Sequence, residues 1–192
     1  SVLSIVPHTL IWAMDLTGKT DINGYQHTLF SIVEHHSRAC LKLKALHTKA
    51  SIALLRELLD AIEALENSKP KIIRTDNEAV FTSRMFRFSL WLLRIKHQRT
   101  ELACPWMNGR VERFFGTLKE KLNCWEVDSF ASLNHSLSLF QCWYNHVRPH
   151  QYLDGLTPAE VWQGKINFKR SNNEIYWFEE WDGLLTGYYL PP

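Results

Sequence analysis

The hydrophobic period changes near residue 50, and that change limits the possible folds more than any other feature. Before it, apolar residues recur at every second position: in LIWAMDL, Leu10, Trp12 and Met14 alternate with Ile11, Ala13 and Asp15. Period two is a strand pattern. TGKTDINGYQ then carries turn residues, Asn23-Gly24 among them, and leads into HTLFSIVEHHS and ACLKLKAL. The segment predicts three antiparallel strands in a meander. After it, TKASIALLRELLDAIEALENSKP sets Ile52, Leu55, Leu58, Leu59, Ile62 and Leu65 at helical spacing, ended by Asn67 and Pro70. A short strand Lys71–Thr75, a helix within SRMFRFSLWLLRI and a strand near His97–Thr100 follow. Strands that alternate with helices predict parallel pairing.

The second half is read as helical. GRVERFFGTLKEKLN and SFASLNHSLSLFQCWYNHV each predict one helix, the latter stopped before Pro149, and TPAEVWQG predicts a short helix with Thr157 as N-cap and Pro158 at its first position. From about Lys165 the chain changes character. IYWFEEWDGLLTGYYLPP is dense in aromatics around Asp182-Gly183, a hairpin signal. The expected organisation is a core over residues 1–165 and an aromatic tail over residues 166–192. The tail is expected to be a β-hairpin packed on the core or on a partner subunit through Ile175, Trp177, Trp181, Leu184, Tyr188 and Tyr189.

Composition bounds the function. Hydrophobic residues make up 45% of 192, enough for one domain with a sizeable core. A net charge of +2 does not announce nucleic acid, so any such case rests on local patches. Cys40, Cys104, Cys124 and Cys142 stand far apart without a Cys-x-x-Cys pair, which predicts free thiols in a reducing compartment. The histidines show no zinc spacing. No apolar run approaches the roughly 18 residues of a membrane span, and the N-terminal segment lacks the marks of a signal peptide. There is no Gly-x-Ser-x-Gly elbow and no Walker loop, which leaves acyl transfer and NTP hydrolysis without support.

Three acids stand out. Asp15 lies in an otherwise apolar strand, on the Ile11–Ala13 face, where an unpaired charge is expensive. Asp76 ends the apolar strand KIIRT, and ligands gather at the carboxyl ends of strands in open α/β sheets. On a helical wheel Val111, Phe114, Phe115, Leu118 and Leu122 form one stripe, and Glu112, Gly116, Lys119 and Asn123 flank it. Glu112 is therefore expected to be partly desolvated at the edge of the core. A salt bridge or an Asp turn would explain any one of these acids. Together they form a set of hard oxygen donors of the kind that suits Mg²⁺ or Mn²⁺.

Asp15, Asp76 and Glu112, with 35 residues between the last two, resemble the Asp, Asp, Glu signature of retroviral-type integrases and insertion-sequence transposases. RTDNEAVF is similar to that family's Thr/Ser-Asp-Asn-Gly-x-x-Phe. PWMNGRVERFFGTLK is similar to its Pro-x-x-Asn-Gly-x-x-Glu-Arg block, and WYNHVRPHQYLDGLTPAEVW to its Tyr-Asn-x-x-Arg-Pro-His and Thr-Pro segment. The resemblance runs from about Pro7 to Gly164.

It implies an α/β, ribonuclease-H-like fold: a five-stranded mixed sheet, three antiparallel strands and then two parallel ones, with helices on both faces. It implies a DNA transposase or integrase core that cuts element ends and joins a 3′ hydroxyl to target DNA. The alternatives are a hydrolytic nuclease of the same fold or a decayed DNA-binding remnant. Two Mg²⁺ or Mn²⁺ ions are implied, with Asp15 bridging both, Asp76 holding one and Glu112 the other. Lys119, Arg113, Lys121 and Asn77 become candidate DNA contacts, Asn77 alternatively bracing the Asp76 turn. For Arg148 and His150 a structural role at the Pro149 helix end is the favoured reading. The implied partners are DNA and further copies of the chain, as homodimer or higher multimer, in a bacterial cytoplasm and at the nucleoid when bound to DNA. No membrane partner is implied. The family's end-recognition domain, a helix-turn-helix, resembles nothing here, so weak DNA binding without sequence preference is expected. One departure stands beside Asp76-Asn77: the family's glycine is replaced by Glu78, expected to point outward from an ordinary backbone angle.

Overall fold

The structure is a computed structural model that describes residues 11–65, 69–100, 109–165 and 175–189; within these, the side chains of Arg110 and Val111 are not described. Its centre is β1 (Ile11–Thr20), paired antiparallel with β2 (Gln26–Glu34), which pairs antiparallel with β3 (Cys40–Leu46). On its other side β1 pairs parallel with β4 (Ile72–Thr75), and β4 parallel with β5 (Lys96–Arg99). The order is β3-β2-β1-β4-β5, three antiparallel strands and then two parallel ones.

Period two divides the sheet residues between two cores. Trp12, Met14, Phe30, Ile32 and Ile73 pack with α1 (Ser51–Ala64), α2 (Ala79–Thr82) and α3 (Arg84–Leu92). Ala13, Leu29, Val33 and Leu43 pack on the opposite face with α4 (Gly109–Asn123) and α5 (Phe130–Cys142). Asp15 shares the parity of Ala13 and so belongs to the α4 face.

The stripe expected for α1 is rotated. Ile52 and Leu59 are exposed, while Leu54 and Ala61 join Leu55, Leu58 and Ile62 inside. The helix turns because Glu57 is drawn to the sheet: its carboxylate takes Lys42 Nζ at 3.0 Å and Lys44 Nζ at 3.2 Å, both from β3. Local helix ends follow their sequence signals. Ser83 and Ser129 accept from Phe86 and Ser132 N–H. Thr157 and Glu160 form a capping box on α6 (Pro158–Trp162).

The helix predicted through Val147 leaves α geometry at Cys142 and continues as a π turn, Trp143–Val147. Beyond it, β6 (Tyr176–Glu180) and β7 (Leu185–Tyr189) form an antiparallel hairpin around Asp182-Gly183. Trp181 and Leu185 are buried in the α4–α5 core, and Trp181 stacks on Trp125 at 5.3 Å. Ile175, Trp177 and Tyr188 are exposed, so the buried contribution of this segment comes from its turn and its inner edge. Cys40, Cys124 and Cys142 are free thiols, and Cys104 lies outside the described residues. Among the described residues no helix is long and apolar enough to cross a membrane.

Candidate active site

The parallel register of β1 and β4 sets Ala13 beside Arg74, and this carries Asp15 and Asp76 to the same level of the sheet. Asp15 is half-buried, and its Oδ1 accepts from Leu16 N–H at 2.8 Å. Burial pushes its carboxyl up to about 6; the negative charges of Asp76 and Glu78 add to the rise, and Lys119 opposes it. Asp76 is likewise raised, by burial first and then by Glu78, with Lys49 opposing. Thus β1, the end of β4 and the start of α2 bring three carboxylates into one another's field. Burial, with repulsion added to it, lets Asp15 and Asp76 hold protons at pH values where an ordinary carboxylate has lost them.

A tight turn shapes the Asp76 end. Asp76 Oδ1 accepts from Glu78 N–H at 2.9 Å. Asn77 Nδ2 donates to the Thr100 carbonyl at 3.1 Å, and Thr100 N–H donates to the Thr75 carbonyl at 2.9 Å, tying the turn to the end of β5. Asn77 thus braces the Asp76 loop with one side of its amide. Glu78 has φ −57°, so this position needs no glycine. Its carboxylate meets Lys49 Nζ at 2.6 Å. It is nonetheless not remote from the acids, since it raises both of them.

On α4, Phe114, Phe115, Leu118 and Leu122 are buried, as the stripe read from the sequence expects, and its other member, Val111, lies outside the described side chains. Lys19 Nζ donates to the Leu122 carbonyl, fixing the C-terminal turn of α4 to β1. Lys119 is exposed on the flank and acts on Asp15. Glu112 is exposed, not partly desolvated. Among the described residues Glu112 makes no ion pair. Nor do three acidic, histidine or cysteine side chains stand together as a ready metal site among them. Asp15 stands in the field of Asp76, and Glu112 is not among the charges that act on either aspartate. Arg113 and Lys121 point elsewhere: Arg113 lies over the Tyr152 ring at 4.3 Å, and Lys121 over the Trp143 ring at 5.7 Å. Lys49 and Glu78 as a pair, and Arg38 and Tyr152, escaped the sequence reading, because each lies far along the chain from the groups it meets or acts on.

Two models of an integrase core domain match the chain, one over residues 9–105 and one over residues 93–158. An uncharacterised 39.2 kDa protein of insertion element IS476 from Xanthomonas euvesicatoria is 26% identical over 167 residues, covering 85% of this chain and 47% of that protein. An uncharacterised 31.7 kDa protein of insertion element IS407 from Burkholderia multivorans is 25% identical over 153 residues, covering 78% of this chain and 54% of that protein. The chain therefore spans about half the length of these relatives. Among solved structures, the catalytic core of HTLV-2 integrase in complex with magnesium, in its trimeric form, superposes with a TM-score of 0.62 at 24% identity, over 80% of this chain and 95% of that one. A simian T-cell lymphotropic virus intasome superposes with a TM-score of 0.69 at 22% identity, over 96% of this chain and 67% of that one.

Proposed function

The chain belongs to the integrase core domain family and has its ribonuclease-H-like fold, and from that premise we propose that it is the catalytic core of an insertion-element transposase. Its reaction is polynucleotidyl transfer: cleavage at a DNA end, then attack of the freed 3′ hydroxyl on a target phosphodiester. The observation that carries this reading is the parallel register of β1 and β4, which sets Asp15 and Asp76 at the same level of the sheet in a chain of this family. A half-buried carboxylate beside other negative charges costs stability, and a divalent cation would offset that cost.

The donor set fits a hard ion. Mg²⁺ takes one or two protein carboxylates and completes its shell with waters and phosphate oxygens. Asp15 and Asp76 would provide the first ligands, and Glu112 the third, on the strength of its spacing in the sequence. When bound, a pair of such ions lowers the pKa of the attacking water or hydroxyl and neutralises charge on the leaving oxygen. The side chains do the rest. β1 and β4 hold the two aspartates on a rigid sheet, Asn77 braces the Asp76 turn, and Lys119 offers a positive charge to the phosphate beside Asp15. Arg113 and Lys121 add phosphate contacts away from the acids.

The partners are DNA ends, target DNA and further copies of the chain, as dimer or higher multimer; the trimeric HTLV-2 core and the simian virus intasome support this. The insertion-element relatives come from bacteria, which supports a cytoplasmic protein that works at the nucleoid. The test is incubation of the chain with labelled duplex DNA and Mn²⁺ or Mg²⁺, with EDTA as control. Metal-dependent nicking is expected, together with joined products when a free 3′ hydroxyl is supplied. Nicking without joining would reassign the chain to hydrolysis, and neither would reject the enzyme reading.

A further inference from the structure

Near the start of β1, two segments bring arginines onto one tyrosine, and a third sets another arginine over the neighbouring aromatic rings. His35 N–H donates to the Ile11 carbonyl at 2.9 Å, pinning the β2–β3 turn to that end of the sheet. The turn carries Arg38, in left-handed backbone at φ 63°, and its guanidinium lies 4.8 Å from the centre of the Tyr152 ring. Arg113, exposed one residue after Glu112 near the start of α4, sets its guanidinium 4.3 Å from the same ring. Arg148, just beyond the π turn, lies over Trp143 and Tyr144 at 5.8 and 5.9 Å. Burial raises the Tyr144 phenol, and Arg148, Arg38 and Arg113 all pull against that rise, so the three charges share one neighbourhood.

Stacking alone does not account for this group. A guanidinium over a tyrosine face is favourable, but two on one ring repel each other. Among the described residues neither Arg113 nor Arg148 makes an ion pair. Tyr152 is 64% exposed, so the cluster opens to solvent instead of closing a core. An anion laid against Arg113 and Arg148 would offset their charge. Guanidinium forks match phosphate oxygens two at a time, and a ring that holds the fork flat leaves its N–H edge free to donate.

We propose that Tyr152 holds Arg38 and Arg113, with Arg148 beside them, as a cradle for the phosphate backbone of DNA running away from the acidic pair. The proposal rests on the DNA reading above. Position supports it. The turn is anchored at Ile11, four residues of β1 from Asp15, or about 13 Å at ~3.3 Å per residue. That is about four nucleotides along a B-form strand. Arg113 joins the cradle to the helix turn that carries Glu112.

The test is fluorescence anisotropy of the 192-residue chain with a labelled DNA duplex, in EDTA, across a KCl series. Arg38→Gln and Arg113→Gln are each expected to lower the slope of log affinity against log salt by about 0.9, and the double variant by about twice that. Tyr152→Leu is expected to weaken binding about tenfold, whereas Tyr152→Phe, which keeps the ring, retains wild-type affinity. Arg113 is exposed, so its variant does not depend on repacking a core. Unchanged slopes in both arginine variants, with Lys119→Ala still lowering the slope, would overturn the cradle and leave the DNA reading standing. Equal losses in Tyr152→Leu and Tyr152→Phe would overturn the role of the ring. A wild-type chain without salt-dependent binding would overturn both readings.

Discussion

Asn145 pairs with Cys40 as a neighbouring strand would: its Nδ2 donates to the Cys40 carbonyl at 2.9 Å, and its Oδ1 accepts from Cys40 N–H at 2.8 Å. β3 is an edge strand, whose unpaired backbone groups invite another chain. Gln141 Nε2 adds a donor to the same carbonyl at 2.8 Å, and Asn134 Oδ1 accepts from Ala45 N–H at 3.0 Å. Amide side chains from α5 and its π turn therefore cover the edge. The Tyr-Asn pair of the Arg-Pro-His motif acts here in the architecture of the sheet.

Removing that amide leaves the buried Cys40 N–H without its acceptor. Asn145→Ala is expected to cost about 2 kcal/mol in urea unfolding and to promote self-association through β3. A loss below about 0.5 kcal/mol would show that water replaces the side chain.

The acids make opposite demands on stability and chemistry. Asp15→Asn, Asp76→Asn and Glu112→Gln are each expected to abolish metal-dependent cleavage while the fold survives. A variant retaining a tenth of the wild-type rate leaves the catalytic set. Asp15 has its folded pKa raised to about 6 from 3.8, so the folded chain binds the proton more tightly. The charged form therefore costs stability above about pH 6, and this cost disappears as pH falls below the unfolded value. In EDTA, Asp15→Asn should melt higher than wild type at neutral pH and level with it in acid. A neutral-pH gain that persisted unchanged in acid would rule out the titration as its cause.

Lys119 is the lysine of α4 that acts on Asp15. Lys119→Ala should raise the Asp15 pKa further and lower the salt slope of DNA binding by about one unit, weakening all sequences alike. Carboxyl NMR titration and anisotropy read the two effects separately. An unchanged slope would confine Lys119 to the electrostatics of the acid pair.

His150 is buried against Tyr144, and desolvation, then the Arg148 charge, lowers its pKa to about 4. The unfolded chain takes up a proton near 6.5 that the folded chain refuses until about 4. Stability is therefore complete above 6.5 and is lost as pH falls through this window, on the order of 3 kcal/mol in all. His150→Phe should remove that part of the acid sensitivity, measured as unfolding free energy against pH. A variant as acid-sensitive as wild type would discount His150.

Gly187 in β7 lies so close to Val147 that an added Cβ would stand 2.5 Å from its Cγ1. Val147 is buried in the α4–α5 core and has no free end to swing aside. Gly187→Ala should lift the hairpin and expose Trp181, read as a red shift in tryptophan emission and faster proteolysis after β5. Unaltered emission would mean that the hairpin absorbs the methyl by sliding.

Much of this protein was legible without coordinates. The period-two segments became β1, β2 and β3, the Phe114–Leu122 stripe became the buried face of α4, and Thr157 capped α6 with Pro158 at its first position. Each of these depends on residues within a turn or two of one another, so the chain encodes them locally. The acid spacing and the flanking motifs pointed to the family, and the sheet order agreed. Other features needed the fold. The rotation of α1 depends on Glu57 finding two lysines of β3, and the exposure of Glu112 on how α4 docks on the sheet. The field that adds to the rise of Asp15 depends on a parallel register between strands some 60 residues apart in sequence, and the Arg38–Tyr152–Arg113 cluster on a strand turn, a helix start and a 3-10 turn meeting in space. Local patterns are set by short-range sterics and hydrogen bonding. Convergence of distant charges is set by strand register and helix docking, where backbone pairing and buried area settle the arrangement and the charges must follow.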